Sequence, residues 1–493
     1  MVEYGDYFVI NRPRQFGKTT TLSLLDKELA KKDDYLPIFL SFEGIGNAPF
    51  QSLETFGPKF LSYLGKNKYV KKAGYSHLFF DEMESVQNFD SLSEVLAEIL
   101  SKIEQKVVLM IDEVDKSSDN DIFIYFLGML RDKFLKAQQE NDVTFHSVIL
   151  AGVHDIKTLK LKIRPETEKK YNSPWNIAVE FEVDMSFNPK EIGTMLLDYA
   201  RETNTKINIE EISEKIFFWT SGYPFLVSKL CKIVDEKILP KKEEKKWSPI
   251  DIDNAVNQLL METNTLFDDL GKNLENNKDL YNFIESVTLG HHEKSFSLQA
   301  PLVNLAYIYG IISRSDNNKV RIHNKIFNEV ITNYIIAKME SENTAPISTT
   351  QEPYIKPDGR LDFEKVLLKF QEVIKEKYHN NMLLKSDEFL EKDLRLLFLV
   401  FLKPITNGIG FTFKEVETGA EKRLDIVVIF RDEKFVVELK IWYDIEYHKR
   451  GIERLKKYME IESINQGYML IMNKNREKEF THEIDDGMLC VYI

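Results

Sequence analysis

Three adjacent residues near the start of the chain carry the groups that a phosphate-binding loop uses. Gly17, Lys18 and Thr19 follow the apolar run Tyr7–Asn11. Backbone N–H groups before a helix can surround a phosphate, a lysine can reach its outer oxygens, and a neighbouring hydroxyl can contact Mg²⁺. The first glycine of the GxxxxGK[ST] pattern is Arg12 here, so the motif is incomplete. Gly-Lys-Thr also arises by chance, and a solvated lysine at a helix start is the alternative.

Two acids further along fit the same chemistry. Asp112 and Glu113 follow the apolar run Val107–Ile111. In this position the first acid would hold the Mg²⁺ shell and the second would polarise the attacking water, as in a Walker B strand. Solvated acids at a strand end are the alternative, but they leave the Gly-Lys-Thr loop unexplained. Together the two segments predict a P-loop NTPase that binds ATP and Mg²⁺.

Asp425, Glu438 and Lys440 form a second polar group, with the spacing D-x₁₂-E-x-K. If a four-residue turn pairs Phe430 with Phe435, Asp425 lies opposite Lys440. Glu438 and Lys440 share a face because strand side chains alternate. Such carboxylates can hold Mg²⁺ or Mn²⁺ against a phosphate while the lysine positions or deprotonates water. An ordinary amphipathic hairpin with one face in water is the alternative.

The elements that position these residues suggest a multidomain α/β protein. In the amino-terminal part, short apolar runs alternate with helical patterns, which predicts a parallel sheet covered by helices. The predicted strands are Tyr7–Asn11, Ile38–Phe42, Val107–Asp112, Ser147–Gly152 and Val179–Val183. The predicted helices between them include Leu92–Gln105 and Ile122–Gln139.

Composition and periodicity divide the chain further. The predicted order is an NTPase core (1–187), a helical lid (188–272), a winged-helix-like region (273–340), a polar linker (341–360) and a carboxyl-terminal α/β domain (361–493). The linker has three prolines and no periodicity. A helical lid with an incidental hairpin is the alternative to the winged helix.

Charge and cysteine content restrict the setting. The net charge of −13 argues against a protein that coats nucleic acid non-specifically. Residues 360–493 carry 23 Lys and Arg against 25 Asp and Glu, a net of −2, which leaves −11 for the rest of the chain. Any nucleic-acid surface is therefore local and is expected in this part rather than in the rest of the chain. Cys231 and Cys490 lack metal-ligand spacing, and no apolar run reaches membrane-spanning length. A cytoplasmic protein without membrane contact is expected.

The segments INRPRQFGKTTTL, LSFEGIG, MIDEVDK, AGVHDIK and SPWNIAVEFEVDMSF resemble bacterial AAA-like ATPases, which commonly carry Arg-Pro-Arg in place of the first P-loop glycine. The resemblance implies an ATP site with Asp112 and Glu113 as the Walker B pair. The expected nucleotide-binding residues are Arg14, Gln15, Phe16, Gly17, Lys18, Thr19, Thr20, Asp112, His154 and Pro224, with Thr19 and Asp112 on Mg²⁺.

Two of these assignments rest on finer resemblances. His154 would occupy a sensor position near the γ-phosphate; a surface-loop histidine is the alternative. Gly222-Tyr223-Pro224 resembles the Gly-x-Pro turn of STAND ATPases, in which the proline packs near adenine. Because the chain starts a few residues before its first strand, part of the base-binding wall is expected to be missing. Arg164 is one of many candidates for an arginine finger.

The segments GIGFTFKEV, EKRLDIVVIF, KFVVELKIW, GIERLKKYM and GYMLIM resemble the PD-(D/E)XK nuclease domain that follows AAA-like ATPases in many bacterial proteins. This implies metal binding by Asp425, Glu438 and Glu391, with Asp393 as the second choice for the last, and a catalytic Lys440. Relatives often have Gln in the following helix where this chain has Arg454. The basic stretch His448–Lys457 is a hypothetical phosphate contact, and a solvated helix face is the alternative.

The paired modules suggest an ATP-regulated DNA nuclease connected with defence or mobile elements, which could form a homo-oligomer. The alternative is a regulatory ATP switch whose nuclease-like domain binds DNA or a partner without cutting. The intact Asp, Glu and Lys set favours the nuclease.

Overall fold

The computed structural model describes residues 1–43, 50, 52–114, 121–152, 177–289, 294–341, 354–378, 391–406, 410–413, 426–431, 433–442, 445–461, 464, 466–472 and 480–493. They form two compact units. The first is Met1–Ser186 with Ile308–Gly310, and the second is Phe187–Tyr307 with Ile311–Ile493. None of the helices in these ranges is both long enough and apolar enough to cross a bilayer.

The first unit is built on a parallel five-stranded sheet, as the sequence predicts. Its strands are β1 (Phe8–Asn11), β2 (Tyr35–Ser41), β3 (Lys106–Asp112), β4 (Ser147–Gly152) and β5 (Val179–Glu180). Their order is β2-β3-β4-β1-β5, so β4 separates the strand before the Gly-Lys-Thr loop from the strand that ends in Asp112. Each predicted apolar run contains a strand. The match is close because fully buried parallel strands are almost continuously apolar.

Helices cover the sheet. They are α1 (Lys18–Leu29), α2 (Leu53–Lys66), α3 (Lys68–Lys72), α4 (Ser76–Phe80), α5 (Phe89–Ser101) and α6 (Asp121–Ala137). Asn88 starts α5 with a capping box, in which its side chain accepts from the Ser91 N–H and Ser91 Oγ accepts from the Asn88 N–H. This arrangement satisfies two backbone donors that the helix start leaves open. Phe56, Phe60 and Phe126 pack edge-to-face or stacked between α2 and α6.

The second unit begins with helices. They are α7 (Pro189–Thr203), α8 (Ile209–Thr220), α9 (Pro224–Ile233), α10 (Pro249–Met261), α11 (Thr265–Glu275), α12 (Lys278–Leu289), α13 (Pro301–Ile308) and α14 (Lys325–Ser341). Only the last residue of α13, Ile308, belongs to the first unit. The hairpin predicted before α14 is present as β6 (Ile312–Arg314) and β7 (Val320–Ile322). Ser295 adds a bridge to Lys319 beside it. This hairpin and this bridge are the features that the described residues of the region have in common with a winged helix.

A mixed six-stranded sheet forms the carboxyl-terminal part. Its elements are α15 (Phe363–Tyr378), α16 (Glu391–Thr406), β8 (Gly410–Phe413), β9 (Ile426–Phe430), β10 (Glu433–Ile441), α17 (Ile445–Ile461), β11 (Gly467–Met472), β12 (His482–Asp485) and β13 (Met488–Tyr492). The strand order is β12-β13-β11-β10-β9-β8. Phe363 of α15 stacks on Phe435 at 4.7 Å, so α15 packs on the face of β10 that carries Phe435. Gly451 of α17 packs against Met469 and Lys440 on the opposite face.

The hairpin of β9 and β10 is tighter than predicted. Phe430 pairs with Glu433, not with Phe435, and Ile426 pairs with Val437. Arg431 in the turn has φ 54°, the left-handed conformation that short hairpin turns require. The predicted register was therefore wrong by two residues. Glu438 and Lys440 share one face of β10 in either register, because they lie two residues apart on the same strand.

Residues 354–360 of the segment predicted as linker form a packed turn together with Leu361, the first residue after it. Tyr354 is buried, and Ile355 forms a bridge with Leu361. The Leu361 N–H donates to Glu433 Oε2 at 2.9 Å, which fastens this turn to the start of β10. The residues that pack with the carboxyl-terminal sheet thus include Tyr354.

The Gly222-Tyr223-Pro224 turn has a steric explanation. Gly222 has φ 74°, and a Cβ there would lie 2.1 Å from the Phe187 carbonyl oxygen. The Phe187 N–H donates to the Gly222 oxygen at 2.9 Å, so the two backbones are in direct contact. Pro224 then occupies the first position of α9, where its fixed φ suits a helix start. Burial raises the pKa of the Tyr223 hydroxyl.

We expect Gly222→Ala to destabilise the protein by about 2–4 kcal/mol, since it adds backbone strain and overpacking. Gly271→Ala is the matched control: Gly271 lies inside α11, where a Cβ would meet nothing within 4 Å. That change should stabilise by about 0.5–1 kcal/mol through helix propensity. Denaturant-induced unfolding followed by circular dichroism measures both. Equal stability of the two variants would contradict the steric explanation.

Candidate functional site: a phosphate-binding loop and a buried Glu-Lys-Arg cluster

The loop between β1 and α1 meets the end of β3 at one edge of the parallel sheet. Thr19 Oγ1 donates to Asp112 Oδ2 at 2.5 Å. The other carboxylate oxygen, Oδ1, accepts from the Glu113 N–H at 2.9 Å. Asp112 is only 2% exposed, so its carboxylate is shielded from bulk water and is held in place by these two hydrogen-bond donors. The Gly-Lys-Thr loop and the acid at the end of β3, which the sequence associated only through their residue types, are therefore in direct contact.

Lys18 lies inside the loop. Its ammonium donates to the carbonyl oxygens of Arg12 and Pro13, both at 2.9 Å, and its side chain is buried. These bonds hold the lysine under the loop with its charge compensated by carbonyl dipoles. An incoming phosphate would offer a full negative charge and stronger, charge-assisted hydrogen bonds.

Two non-glycine residues at this edge of the sheet have left-handed backbone conformations. Gln15 has φ 55° and Glu113 has φ 57°, both in the left-handed region that residues other than glycine seldom adopt. Gly17, which precedes α1, has φ 85° and avoids this cost. Each strained residue costs about 1–3 kcal/mol, and such residues cluster at functional sites. The loop leads directly into the first turn of α1, whose N–H groups favour anions.

Arg12, in the place of the first glycine, has a structural role. Its guanidinium donates to the carbonyl oxygens of Phe181 and Val183, each at 2.9 Å, and to that of Asn11 at 2.8 Å. The main-chain oxygen of Arg12 also accepts from Lys18. Arg12 thus joins the loop to the segment after β5.

The remaining residues expected at the nucleotide are distributed as follows. Arg14, Gln15 and Thr20 are exposed, and Phe16 is buried beneath the loop. Pro224 begins α9 in the second unit. His154 and Arg164 lie outside the described residues, so their roles stay predictions.

The oxygen atoms at this edge suit Mg²⁺. Mg²⁺ prefers oxygen ligands and is usually held by one or two carboxylates, waters and substrate phosphates. The Thr19 hydroxyl and the Asp112 carboxylate supply two such oxygens side by side. Across the described ranges, no group of three or more His, Cys, Asp or Glu side chains is arranged to hold a metal by itself. Further Mg²⁺ ligands at this edge would be water or phosphate oxygens.

A second charged cluster lies in the carboxyl-terminal sheet. Glu438 is completely buried, and its Oε1 is 3.1 Å from Lys440 Nζ and 3.2 Å from Arg454 Nη1. Lys440 is buried too, whereas the Arg454 side chain is 43% exposed. A buried carboxylate is costly unless cations or hydrogen bonds compensate it. Glu438 and Lys440 thus lie side by side on one face of β10, as the sequence predicts.

The other residues of the expected metal site are incompletely placed. Asp425 lies outside the described residues. Glu391 is the first residue of α16, but its side chain is not described either, and Asp393 is half-buried on the same helix. The contribution of these acids stays a prediction.

The basic stretch on α17 is not one solvated face. His448 is buried, with Nε2 3.3 Å from Asp485 Oδ2 and its ring against Trp442. Lys456 is bonded to Asp486, while Lys449 and Arg450 are exposed.

The contact between Arg454 and Glu438 was not expected from the sequence. A usable signal was present, because Tyr447, Gly451 and Arg454 recur at helical spacing and so lie on one face of α17. The Tyr447 ring centroid is 5.5 Å from Lys440 Nζ, and Gly451 packs beside the same lysine. The small Gly451 lets α17 approach β10 closely.

The solved structures that the chain resembles include three proteins, each under 25% identical and with a TM-score under 0.5. The Walker-type ATPase paby2304 of Pyrococcus abyssi is 13% identical, with a TM-score of 0.42, over 66% of this chain and 91% of that one. The ORC2 protein of Aeropyrum pernix is 13% identical, with a TM-score of 0.37, over 68% and 89%. The RuvB Holliday junction branch migration motor of Thermotoga maritima is 15% identical, with a TM-score of 0.31, over 64% and 84%.

No curated protein is significantly similar to the chain in sequence. The family model described as an AAA-like domain matches residues 1–329, which include the whole parallel sheet, the P-loop and the helices up to the start of α14. The match covers about two thirds of the chain. The protein therefore belongs to the AAA-like domain family of P-loop ATPases.

Proposed function

We propose that the protein binds and hydrolyses ATP at the P-loop and cleaves DNA at a metal-dependent site in its carboxyl-terminal domain, with cleavage regulated by ATP. The observation that carries the first part is the contact of Thr19 with Asp112 beside the buried Lys18. The second part is supported by Glu438 and Lys440 on one buried face of β10, together with the sequence resemblance to PD-(D/E)XK nucleases.

For ATP hydrolysis, each residue would act through a group already at the sheet edge. Lys18 leaves the loop carbonyls and binds the outer phosphates, and the N–H groups at the start of α1 bind phosphate oxygens. Thr19 and Asp112 would hold Mg²⁺, which neutralises charge on the β- and γ-phosphates. Glu113 orients the water that attacks the γ-phosphorus and accepts its proton, which passes on to the phosphate product or to solvent. The bond to the oxygen between the β- and γ-phosphorus atoms breaks, and ADP leaves.

For DNA cleavage, Lys440 would position the attacking water and assist its deprotonation. Asp425, Glu438 and Glu391 would hold Mg²⁺ or Mn²⁺, whose charge stabilises the phosphate during attack. The water oxygen bonds to phosphorus while the bond to the leaving sugar oxygen breaks. The proton ends on that oxygen or in solvent. Carboxylate oxygens suit both metals.

Contacts inside the second unit offer a physical route for regulation. Arg395 of α16 is completely buried and donates to the Leu289 carbonyl oxygen at the end of α12. Lys403, also on α16, lies 3.9 Å from the buried Glu329 of α14. Leu289 and Glu329 belong to the AAA-like region. Helix α16, which begins with Glu391, is therefore bonded to the AAA-like region, so a shift of α12 or α14 would move α16.

A regulatory switch that binds DNA without cutting is the second candidate. It is favoured by one observation: Lys440 and Arg454 both contact Glu438 Oε1, which neutralises the carboxylate that a metal would use. DNA affinity that survives Glu438→Gln, with no cleavage by the unmodified chain, would support it.

Glu113→Gln should lower the ATP turnover rate by about 10²-fold or more, because the residue is the proposed base for water. ATP affinity should change little, since Lys18 and the loop remain. Glu104→Gln, an exposed change of the same kind before β3, is the control and should hydrolyse ATP normally. Phosphate release measures turnover. Full activity of Glu113→Gln would remove this residue from the mechanism.

Lys440→Ala should lower Mg²⁺- or Mn²⁺-dependent cleavage of plasmid and linear DNA by about 10²-fold or more, because water loses its positioning group. Lys440→Met, which keeps the volume, separates this loss from misfolding. Lys365→Ala on α15, exposed and on the opposite side of the sheet, should cut normally. Unchanged cutting by both Lys440 variants refutes the nuclease assignment, and RNA tested in parallel reports the substrate class.

A further inference from the structure

Arg454 approaches the buried cluster from the solvent side. Its side chain is 43% exposed, yet Nη1 is 3.2 Å from the Oε1 atom of the completely buried Glu438. Lys440 Nζ contacts the same oxygen atom at 3.1 Å. One carboxylate oxygen therefore accepts from two cations, one fixed in the interior and one that reaches water.

The helix that carries Arg454 is held close to the strand. A Cβ on Gly451 would lie 3.0 Å from Met469 Cε and 3.6 Å from Lys440 Cε, so the backbone of α17 almost touches the side chains of the sheet. Arg454 lies three residues later on the same face. Its long side chain reaches Glu438 from this position while 43% of it stays exposed to solvent.

A divalent cation cannot share this oxygen atom with two cationic groups at low energetic cost. At hydrogen-bond distances the repulsion is strong, since the cluster is shielded from water. Lys440 is buried and has little room to leave. Arg454 is half-exposed, so it is the group that a metal would displace. A displaced guanidinium needs an anion, and its planar fork matches a phosphate group with two parallel hydrogen bonds.

We infer that Arg454 couples phosphate binding to metal binding at Glu438. Without nucleic acid, Arg454 holds Oε1 and weakens metal binding; when a backbone phosphate arrives, Arg454 bonds to it and releases the oxygen. Coupling of this kind is reciprocal, so DNA raises metal affinity and the metal raises DNA affinity by the same factor. The inference deepens the proposed nuclease function and rests on it for the identity of the phosphate.

The first measurement is Mn²⁺ binding to the full chain without DNA or nucleotide, by isothermal titration calorimetry. Binding lost in Glu438→Gln identifies the site and separates it from the P-loop. Arg454→Gln should bind Mn²⁺ at this site on the order of tenfold more tightly than the unmodified chain. Arg454→Lys, which keeps the charge but not the fork, should fall between. Lys375→Gln removes an exposed charge from α15 and should leave Mn²⁺ affinity unchanged.

The second measurement is binding of a short DNA duplex in EDTA, where no cleavage can occur. Arg454→Gln should bind DNA more weakly, and its affinity should depend less steeply on salt because one phosphate contact is lost. Lys375→Gln should match the unmodified chain. A thermal melt of each variant confirms folding, and Arg454→Lys carries the test if Arg454→Gln does not fold.

The outcomes separate this inference from the proposed function. Tighter Mn²⁺ binding with weaker DNA binding in Arg454→Gln supports the coupling, even if the unmodified chain cuts nothing. Unchanged or weaker Mn²⁺ binding overturns it, even if the unmodified chain is an active nuclease, and means that Arg454 only neutralises Glu438. Tighter Mn²⁺ binding with unchanged DNA affinity also overturns it, because Arg454 would then have no phosphate partner.

Discussion

The hydrogen bond from Thr19 to Asp112 depends on a constraint of parallel sheets, in which the carboxyl ends of all strands lie along one edge. The loop after β1 and the end of β3 therefore meet although β4 lies between the two strands. Everything proposed for ATP follows from this meeting. Next to this hydrogen bond, the Lys18 ammonium donates to two carbonyl oxygens of the loop. Glu113, the residue after β3, has a left-handed backbone conformation.

In the carboxyl-terminal domain, the main physical constraint is a buried charge that must be compensated. Glu438 carries a charge into an interior position, and Lys440 and Arg454 compensate it. Replacing such a cluster by apolar residues is often neutral or stabilising, so stability alone does not explain its presence. The proposed exchange of Arg454 from Glu438 to a phosphate would explain it. The buried Arg395 fastens the neighbouring helix α16 to the AAA-like region, where a nucleotide would act.

The sequence predicted what depends on local pattern. The strands β1 to β4 were found because buried parallel strands are continuous apolar runs, and Glu438 and Lys440 were placed together because strand side chains alternate. The β9–β10 register was wrong because Arg431 takes a left-handed conformation that its type does not announce. The β12–β13 hairpin was overlooked, although Asp486 and Gly487 in its turn are a strong signal for one. Contacts such as Arg12 to Phe181 depend on tertiary packing, so no local pattern reveals them.

The central claim is that the P-loop and the carboxyl-terminal site act together. The most direct test is the rate of DNA cleavage by the full chain, measured with and without ATP and repeated with Lys18→Ala. The account predicts that ATP changes the rate on the order of tenfold or more and that Lys18→Ala abolishes this response while the cleavage site stays intact. Cleavage at one rate under all these conditions would show that the two sites share a chain without acting on each other.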